Sequence, residues 1–393
     1  MAEQPAAEAS HSLSSPQKVS LRELAVFFLR LGCTAFGGPA AHIAMMEDEL
    51  VRRRQWLSRQ KFLDLLGASN LIPGPSSSEL AIHIGYLLAG WAGLLVAGVC
   101  FILPAAIMVA SIAWAYVRFS KLPAISAILY GVKPVVIAVI LQALWGLGRT
   151  AVRTTFFGIV GVVCVLLAFL GLHPLLVLAL GGCAVCLMSF GTARSAHGAI
   201  PLATAPVTAW TGGAAAFSLG SLFLVFLKIG AVVFGSGYVL LAFLRADLVA
   251  HRGWLTDSQL VDAVAVGQVT PGPVFTTATF IGYILGGMRG ATVATVGIFL
   301  PAFVLVAISG PLVPRIRRSK IASTFLDGVN VASLALMAVV TWQLGRAAIF
   351  DLTTALLVIV SAILLMRFRF NSAWLILGGA AVGMLMQMSN IGG

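Results

Sequence analysis

The chain has 393 residues, 60% of them hydrophobic and only 10% charged, against about 25% charged in an ordinary soluble domain, which excludes a water-soluble fold. Its 25 Lys+Arg against 13 Asp+Glu leave a formal charge of +12. These charges stand singly between apolar runs, so they read first as membrane-topology signals and second as an attraction for anions, ahead of any nucleic-acid role.

Residues 1–20 are rich in Ala, Ser, Pro and Gln and read as a disordered tail without a signal-peptide pattern. Beyond them the chain is one unit written twice: residues 28–105 match 226–302 across a one-residue gap, the kind of internal repeat that governs the whole fold. Phe36-Gly37 pairs with Phe234-Gly235, Trp56-Leu57 with Trp254-Leu255, Pro73-Gly74-Pro75 with Pro271-Gly272-Pro273, and Leu103-Pro104-Ala105 with Leu300-Pro301-Ala302. The first repeat is placed at 21–195, a linker rich in Pro, Gly and Ala at 196–217, and the second repeat at 218–393.

Each repeat opens with an apolar segment (24–46 or 222–244) interrupted by Gly37-Gly38-Pro39 or Gly235-Ser236-Gly237. A polar stretch leads to Trp56 or Trp254, read as interfacial anchors, and to Ser58 or Thr256, read as helix N-caps. Two short apolar pieces follow (59–71 and 76–89; 257–269 and 274–287), parted by Pro-Gly-Pro. Neither piece reaches the roughly 20 residues that cross a bilayer, so the pair reads as a re-entrant hairpin or a broken helix. Four fuller spans complete each half (91–117, 122–147, 154–171, 173–190; 290–309, 323–345, 352–366, 372–391). The expected fold is an all-α polytopic membrane protein of two inverted homologous repeats, each with about five transmembrane helices plus the Pro-Gly-Pro element. An odd number of crossings inverts the second half, and about 14 basic residues then fall inside against about eight outside.

Arg30 and Lys228 occupy the same repeat position inside apolar segments. A charge at bilayer depth costs roughly 3 kcal/mol, so it faces a cavity or an anion or snorkels to the interface. Lys133 is a third such cation, unmatched across the repeats because Asn330 stands opposite it. Proline removes a backbone donor and clashes with the preceding turn, so Pro73-Gly74-Pro75 and Pro271-Gly272-Pro273 each stop one helix and start another. The free N–H groups of the new helix form a ready anion site. Ser76, Ser77, Thr276 and Thr277 arrive there with hydroxyls, and Asn70 and Gln268 stand just ahead with amides. A kink with capping hydroxyls is the bland alternative. Gly37, Gly38, Gly235 and Ser236 admit either close backbone approach to a ligand or close helix packing. Asp64 and Asp262 are matched, and read as coupling groups or as salt-bridge partners. Glu79 is unmatched, since Thr276 aligns with it, and so are His42 and His83. The sequence carries no nucleotide loop, metal cluster or nucleophile elbow; no enzyme activity, cofactor, metal or nucleic-acid partner is expected.

The runs Phe36-Gly37-Gly38-Pro39-Ala40-Ala41-His42-Ile43, Phe234-Gly235-Ser236-Gly237-Tyr238-Val239, Gly267-Gln268-Val269-Thr270-Pro271-Gly272-Pro273 and Ala278-Thr279-Phe280-Ile281-Gly282-Tyr283 resemble the motifs of the chromate ion transporter family, in its long two-domain type. The resemblance covers both halves. It implies a multi-pass protein of the bacterial inner membrane that exports chromate and confers resistance to it, with no cofactor. Sulfate is a natural competitor, being of the same shape and charge. Another oxyanion transporter, an anion channel and a non-transporting oxyanion sensor are the alternatives, and a homodimer is left open.

Overall fold

The computed structural model describes residues 19–36, 38–119, 122–191, 217–234, 237, 239–309, 319–368 and 370–391. The tail, most of the linker, Gly37, Gly235 and Ser236 lie outside them. The described residues are all-helical, as the composition leads one to expect.

In repeat 1, α1 (Leu21–Thr34) and α2 (Gly38–Glu47, continued by a π-helical turn Asp48–Arg53) flank the first break. After them come α3 (Arg59–Ser69), α4 (Ser76–Phe119), α5 (Pro123–Ala151), α6 (Thr155–Phe169) and α7 (Pro174–Gly191). Repeat 2 reproduces this order. It has α8 (Leu219–Val232), α9 (Leu240–Leu244, with a π turn Arg245–His251), α10 (Asp257–Val269), α11 (Thr277–Ser309, preceded by a 3₁₀ turn Val274–Thr276), α12 (Lys320–Ala348), α13 (Leu352–Phe368) and α14 (Ser372–Ile391). The caps read from sequence are present: Ser58 accepts from the Lys61 amide, and Thr256 from the Gln259 amide in a full capping box. Arg54 lies over the Trp56 ring and Arg252 over Trp254, at 4.9 and 4.8 Å.

Neither α4 nor α11 is one straight rod. Gly90 takes φ +61° and Gly287 φ +60°, the left-handed conformation that glycine adopts without a Cβ penalty. Gly85 and Gly93 consequently touch, and a Cβ on either would strike the other's carbonyl; Gly282 and Gly290 repeat the contact. Eight residues of straight helix would hold such a pair about 12 Å apart, so the chain reverses at each break and its two arms pack glycine on glycine. The single-residue gap between the repeats also has a structural solution. Ser76–Glu79 is four residues of α-helix where Val274–Thr276 is three residues of 3₁₀ turn, and at rises of about 1.5 and 2.0 Å both advance about 6 Å.

The surface is inside-out relative to a soluble protein. Trp91, Leu95, Val99, Leu103 and Ile107 recur every four residues along α4, all exposed, and Met288, Val296, Leu300 and Val304 hold the matching stripe on α11. Ser77, Ser78, Glu79, Thr276 and Thr277 are buried. Such a stripe suits lipid as its solvent. α4, α5, the α11 unit (Val274–Ser309) and α12 are each long and apolar enough to cross a membrane.

The repeat boundaries of the sequence are not packing boundaries. α1 packs on α4 and α8 on α11, with α4 against α11 between them. The other helices are exchanged: α5 packs against α13 and α14 of the second repeat, and α12 against α6 and α7 of the first. Glycine permits both crossings. Gly131 sits on Gly379, and Gly328 on Gly181, too close for a Cβ, as is common where small residues let membrane helices approach.

Candidate functional site

The ends of α1 and α8 meet the two Pro-Gly-Pro elements. α1 ends where the Ala35 amide caps on the Leu31 carbonyl, and α8 ends where the Val233 amide caps on Ile229. The carbonyls of those two capping residues point onward, and each accepts the central amide of the other repeat's Pro-Gly-Pro. Gly74 N–H donates to Val233 O at 2.7 Å, and Gly272 N–H to Ala35 O at 3.0 Å. The bonds are reciprocal at equivalent positions, as a two-fold relation between repeats produces. Proline supplies no donor on either side of the glycine, so this one amide carries the junction in each repeat.

Both glycines are conformationally required, with φ +141° at Gly74 and +90° at Gly272. Gly272 is wedged between α1 and α4, where a Cβ would lie 2.6 Å from the Ala105 Cβ and 3.2 Å from the Gly32 carbonyl. Gly32 and its counterpart Gly230 are equally constrained, against the Phe101 and Ile298 carbonyls.

His42 reinforces the junction on one side only. Its Nε2 donates to the Ala35 carbonyl at 3.1 Å, since a carbonyl only accepts; in the neutral ring Nδ1 then accepts from the Ser77 hydroxyl at 3.2 Å. The ring is fully buried against Phe101. Leu240 stands at the matching place in repeat 2.

The helix starts differ in their polar groups. Behind Pro75, Ser77, Ser78 and Glu79 are buried, and the Ser78 and Glu79 amides bond back to Pro75 O. Behind Pro273, the Thr276 hydroxyl donates to Pro273 O and the Thr277 hydroxyl to Val274 O, both at 2.8 Å. Pro75, Ser76, Pro271 and Pro273 are buried with them, Pro73 and Gln268 are half-buried, and Asn70 is exposed. Gly38 starts α2 at φ +73°.

The two matched cations have unlike surroundings. Lys228 donates to Asp247 at 2.7 Å, both side chains being largely buried. Arg30 lies on the exposed face of α1 with Val26 and Leu29, and no described carboxylate lies within ion-pair distance of it. Lys133 joins the repeats: its amine is 3.1 Å from Asp262 and donates to Ser258 at 2.7 Å, while Tyr116 donates to Asp262 at 3.0 Å. Asp64, the match of Asp262, is half-buried. Away from this centre, a cavity of about 490 Å³ is lined by Arg245, Asp257, Trp342 and Arg346 among others. Arg245 pairs with Asp257 at 2.8 Å, where repeat 1 has the same bridge with its signs exchanged, Glu47 with Arg59 at 3.7 Å.

The structure thus brings together both Pro-Gly-Pro elements, their following hydroxyls and the ends of α1 and α8. Sequence reasoning missed the Ala35 and Val233 carbonyls and the linking role of His42; the only signal for the latter was that it has no match in repeat 2.

Known proteins point the same way. The family model described as chromate transporter matches the chain twice, at residues 22–186 and 220–384. A chromate transport protein of Cupriavidus metallidurans is 34% identical over 388 residues, 96% of each chain. A probable chromate transport protein of Synechococcus elongatus is 34% identical over 88% of this chain and 89% of its own. A chromate transport protein of Pseudomonas aeruginosa is 33% identical over 84% of this chain and 82% of its own. No solved structure matches. With the family model on both repeats and full-length relatives at this identity, the chain belongs to the chromate transporter family.

Proposed function

We propose that this protein is a secondary transporter that exports chromate across the bacterial inner membrane, and so confers chromate resistance. Its substrate would be held where the two Pro-Gly-Pro breaks meet. The reciprocal Gly74–Val233 and Gly272–Ala35 bonds carry this reading: a bilayer protein places irregular backbone at depth only where protein buries it or where it lines a path, and inverted-repeat transporters bind substrate between such broken helices. The two glycine amides are engaged between repeats, so the oxyanion is met by first-turn amides and by the hydroxyls of Ser76, Ser77, Thr276 and Thr277, the last three turning to it from His42 Nδ1, Pro273 O and Val274 O. Asn70 and Gln268 serve as further donors. Arg30, which has no carboxylate partner among the described residues, and Lys228, which shares its charge with Asp247, balance the dianion. Asp64 and Asp262 are the matched candidates for coupling.

An inside-negative potential favours export, because each charge moved is worth about 2.3 kcal/mol per 100 mV. The test is chromate flux from proteoliposomes. Saturable efflux that rises with an inside-negative potential and is inhibited by sulfate is the expected result, with Arg30→Ala and Lys228→Ala each at least about tenfold slower, the equivalent of 1.4 kcal/mol. Parent vesicles no faster than empty ones would overturn the transport reading. Variants that fold and transport at the parent rate would remove the two cations from the site.

A further inference from the structure

We propose that Glu79 is a proton-binding residue of the transport cycle, present in the first repeat alone; this rests on the oxyanion-transport reading above. The Glu79 side chain is fully buried, and neither carboxyl oxygen receives a hydrogen bond from any described protein group. Its carboxyl folds back onto Gly74, where its Oε1 and Cδ occupy the space a Cβ would take. It therefore lies against the residue whose amide joins the two repeats.

The elements packed on α4 carry Arg22, Glu23, Arg30 and Cys33 (α1), His42 and Glu47 (α2), Arg59, Lys61 and Asp64 (α3), Asp257 and Asp262 (α10), and Tyr283 and Arg289 (α11) as charged or titratable groups, and α4 itself carries His83 one turn on, then Tyr86, Cys100, Tyr116 and Arg118. None of them forms an ion pair or hydrogen bond with the Glu79 carboxyl. His42 is engaged with Ala35 and Ser77, and Asp262 with Lys133 and Tyr116.

A bare carboxylate taken from water into such a place loses several kcal/mol of solvation with nothing returned, whereas a carboxylic acid loses far less. Repeat 2 avoids the problem. Thr276 stands at the equivalent position as the last residue of the shorter 3₁₀ turn, and its hydroxyl is satisfied by Pro273 O.

The consequence is a link between protonation and the junction. With Gly74 bonded to Val233 the pocket is closed and holds Glu79–COOH. When that bond opens, water and the first-turn amides of α4 reach the group, the helix N-terminus favours its anion, and Glu79–COOH becomes Glu79–COO⁻ with the proton released to the water on the open side. Binding a proton then biases the closed state, since a ligand shifts an equilibrium by its differential affinity for the two states. One proton is carried per cycle in exchange with the oxyanion.

The experiment has two readouts. In proteoliposomes, an imposed pH gradient should accelerate chromate flux by the parent and lose that effect in Glu79→Gln, with partial recovery in Glu79→Asp. A Glu79→Gln protein that responds to the gradient as the parent does would overturn the proposal. Infrared spectroscopy of the purified full-length parent should show the carbonyl band of a protonated carboxylic acid, absent in Glu79→Gln and displaced in Glu79→Asp, the latter serving if the Gln variant does not fold. A parent without that band would also overturn it. Should the parent move no chromate at all, the transport reading fails while the infrared band still decides whether Glu79 holds a proton.

Discussion

Gly272→Ala is expected to be far more damaging than the equivalent change at Gly74, although the two glycines hold matched positions in matched motifs. At φ +90° an alanine at 272 carries the left-handed penalty of about 1–2 kcal/mol. Its Cβ would also lie 2.6 Å from the Ala105 Cβ, and relieving that contact moves backbone at a cost of about 1–3 kcal/mol. The shift pulls the amide from Ala35 O, which forfeits roughly 1 kcal/mol and loosens the carbonyl that His42 also uses. At Gly74 the backbone strain is similar, but the new Cβ meets the end of the Glu79 side chain, which can rotate away. Thermal unfolding of detergent-purified protein checks the order: a total of about 3–6 kcal/mol for Gly272→Ala by these sums, and a clearly smaller loss for Gly74→Ala. Equal losses would mean that the wedge of Gly272 between α1 and α4 does not govern the junction.

That contrast shows where sequence reasoning reached and where it stopped. The two repeats, the Pro-Gly-Pro breaks and the Ser58 and Thr256 caps were legible because they rest on repetition or on local chemistry, proline's missing donor and a cap hydroxyl, whereas the reversal at Gly90 was legible only as a boundary between apolar runs. The exchange of α5 and α12 between repeats was not, because Gly131 and Gly379 mark close packing without naming their partners. Within the site, the hydroxyls behind each break could be read, but the Ala35 and Val233 carbonyls could not, since every backbone residue has one and only the tertiary fold selects these two. Asp262 and Lys133 were each singled out, yet as separate candidates. Lys133 has no match in repeat 2, and a pairing that the internal symmetry does not repeat leaves no trace in the alignment of one half with the other.

Breaking that pair is the other change with a large expected effect. Lys133 on α5 and Asp262 on α10 bring opposite charges from different repeats to 3.1 Å, with side-chain exposures of 16% and 3%. Attraction across such a pair mainly offsets the cost of removing both ions from solvent, so the pair itself adds little. Deleting one member, however, leaves the other buried and uncompensated, at about 3–5 kcal/mol. Lys133→Met should cost more than Asp262→Leu: the stranded carboxylate is the more deeply buried ion and keeps, among the described residues, Tyr116 alone as donor, whereas a stranded Lys133 retains Ser258 and some exposure. The double variant Lys133→Met/Asp262→Leu should regain most of the stability of the parent, giving a double-mutant cycle with an interaction energy of about 2 kcal/mol or more. Chromate flux separates the two roles open to Asp262. As a salt-bridge partner that only joins the repeats, it leaves the stable double variant transporting; as a coupling group, it leaves that variant folded but unresponsive to a pH gradient, and Glu79 would then share the proton path with it.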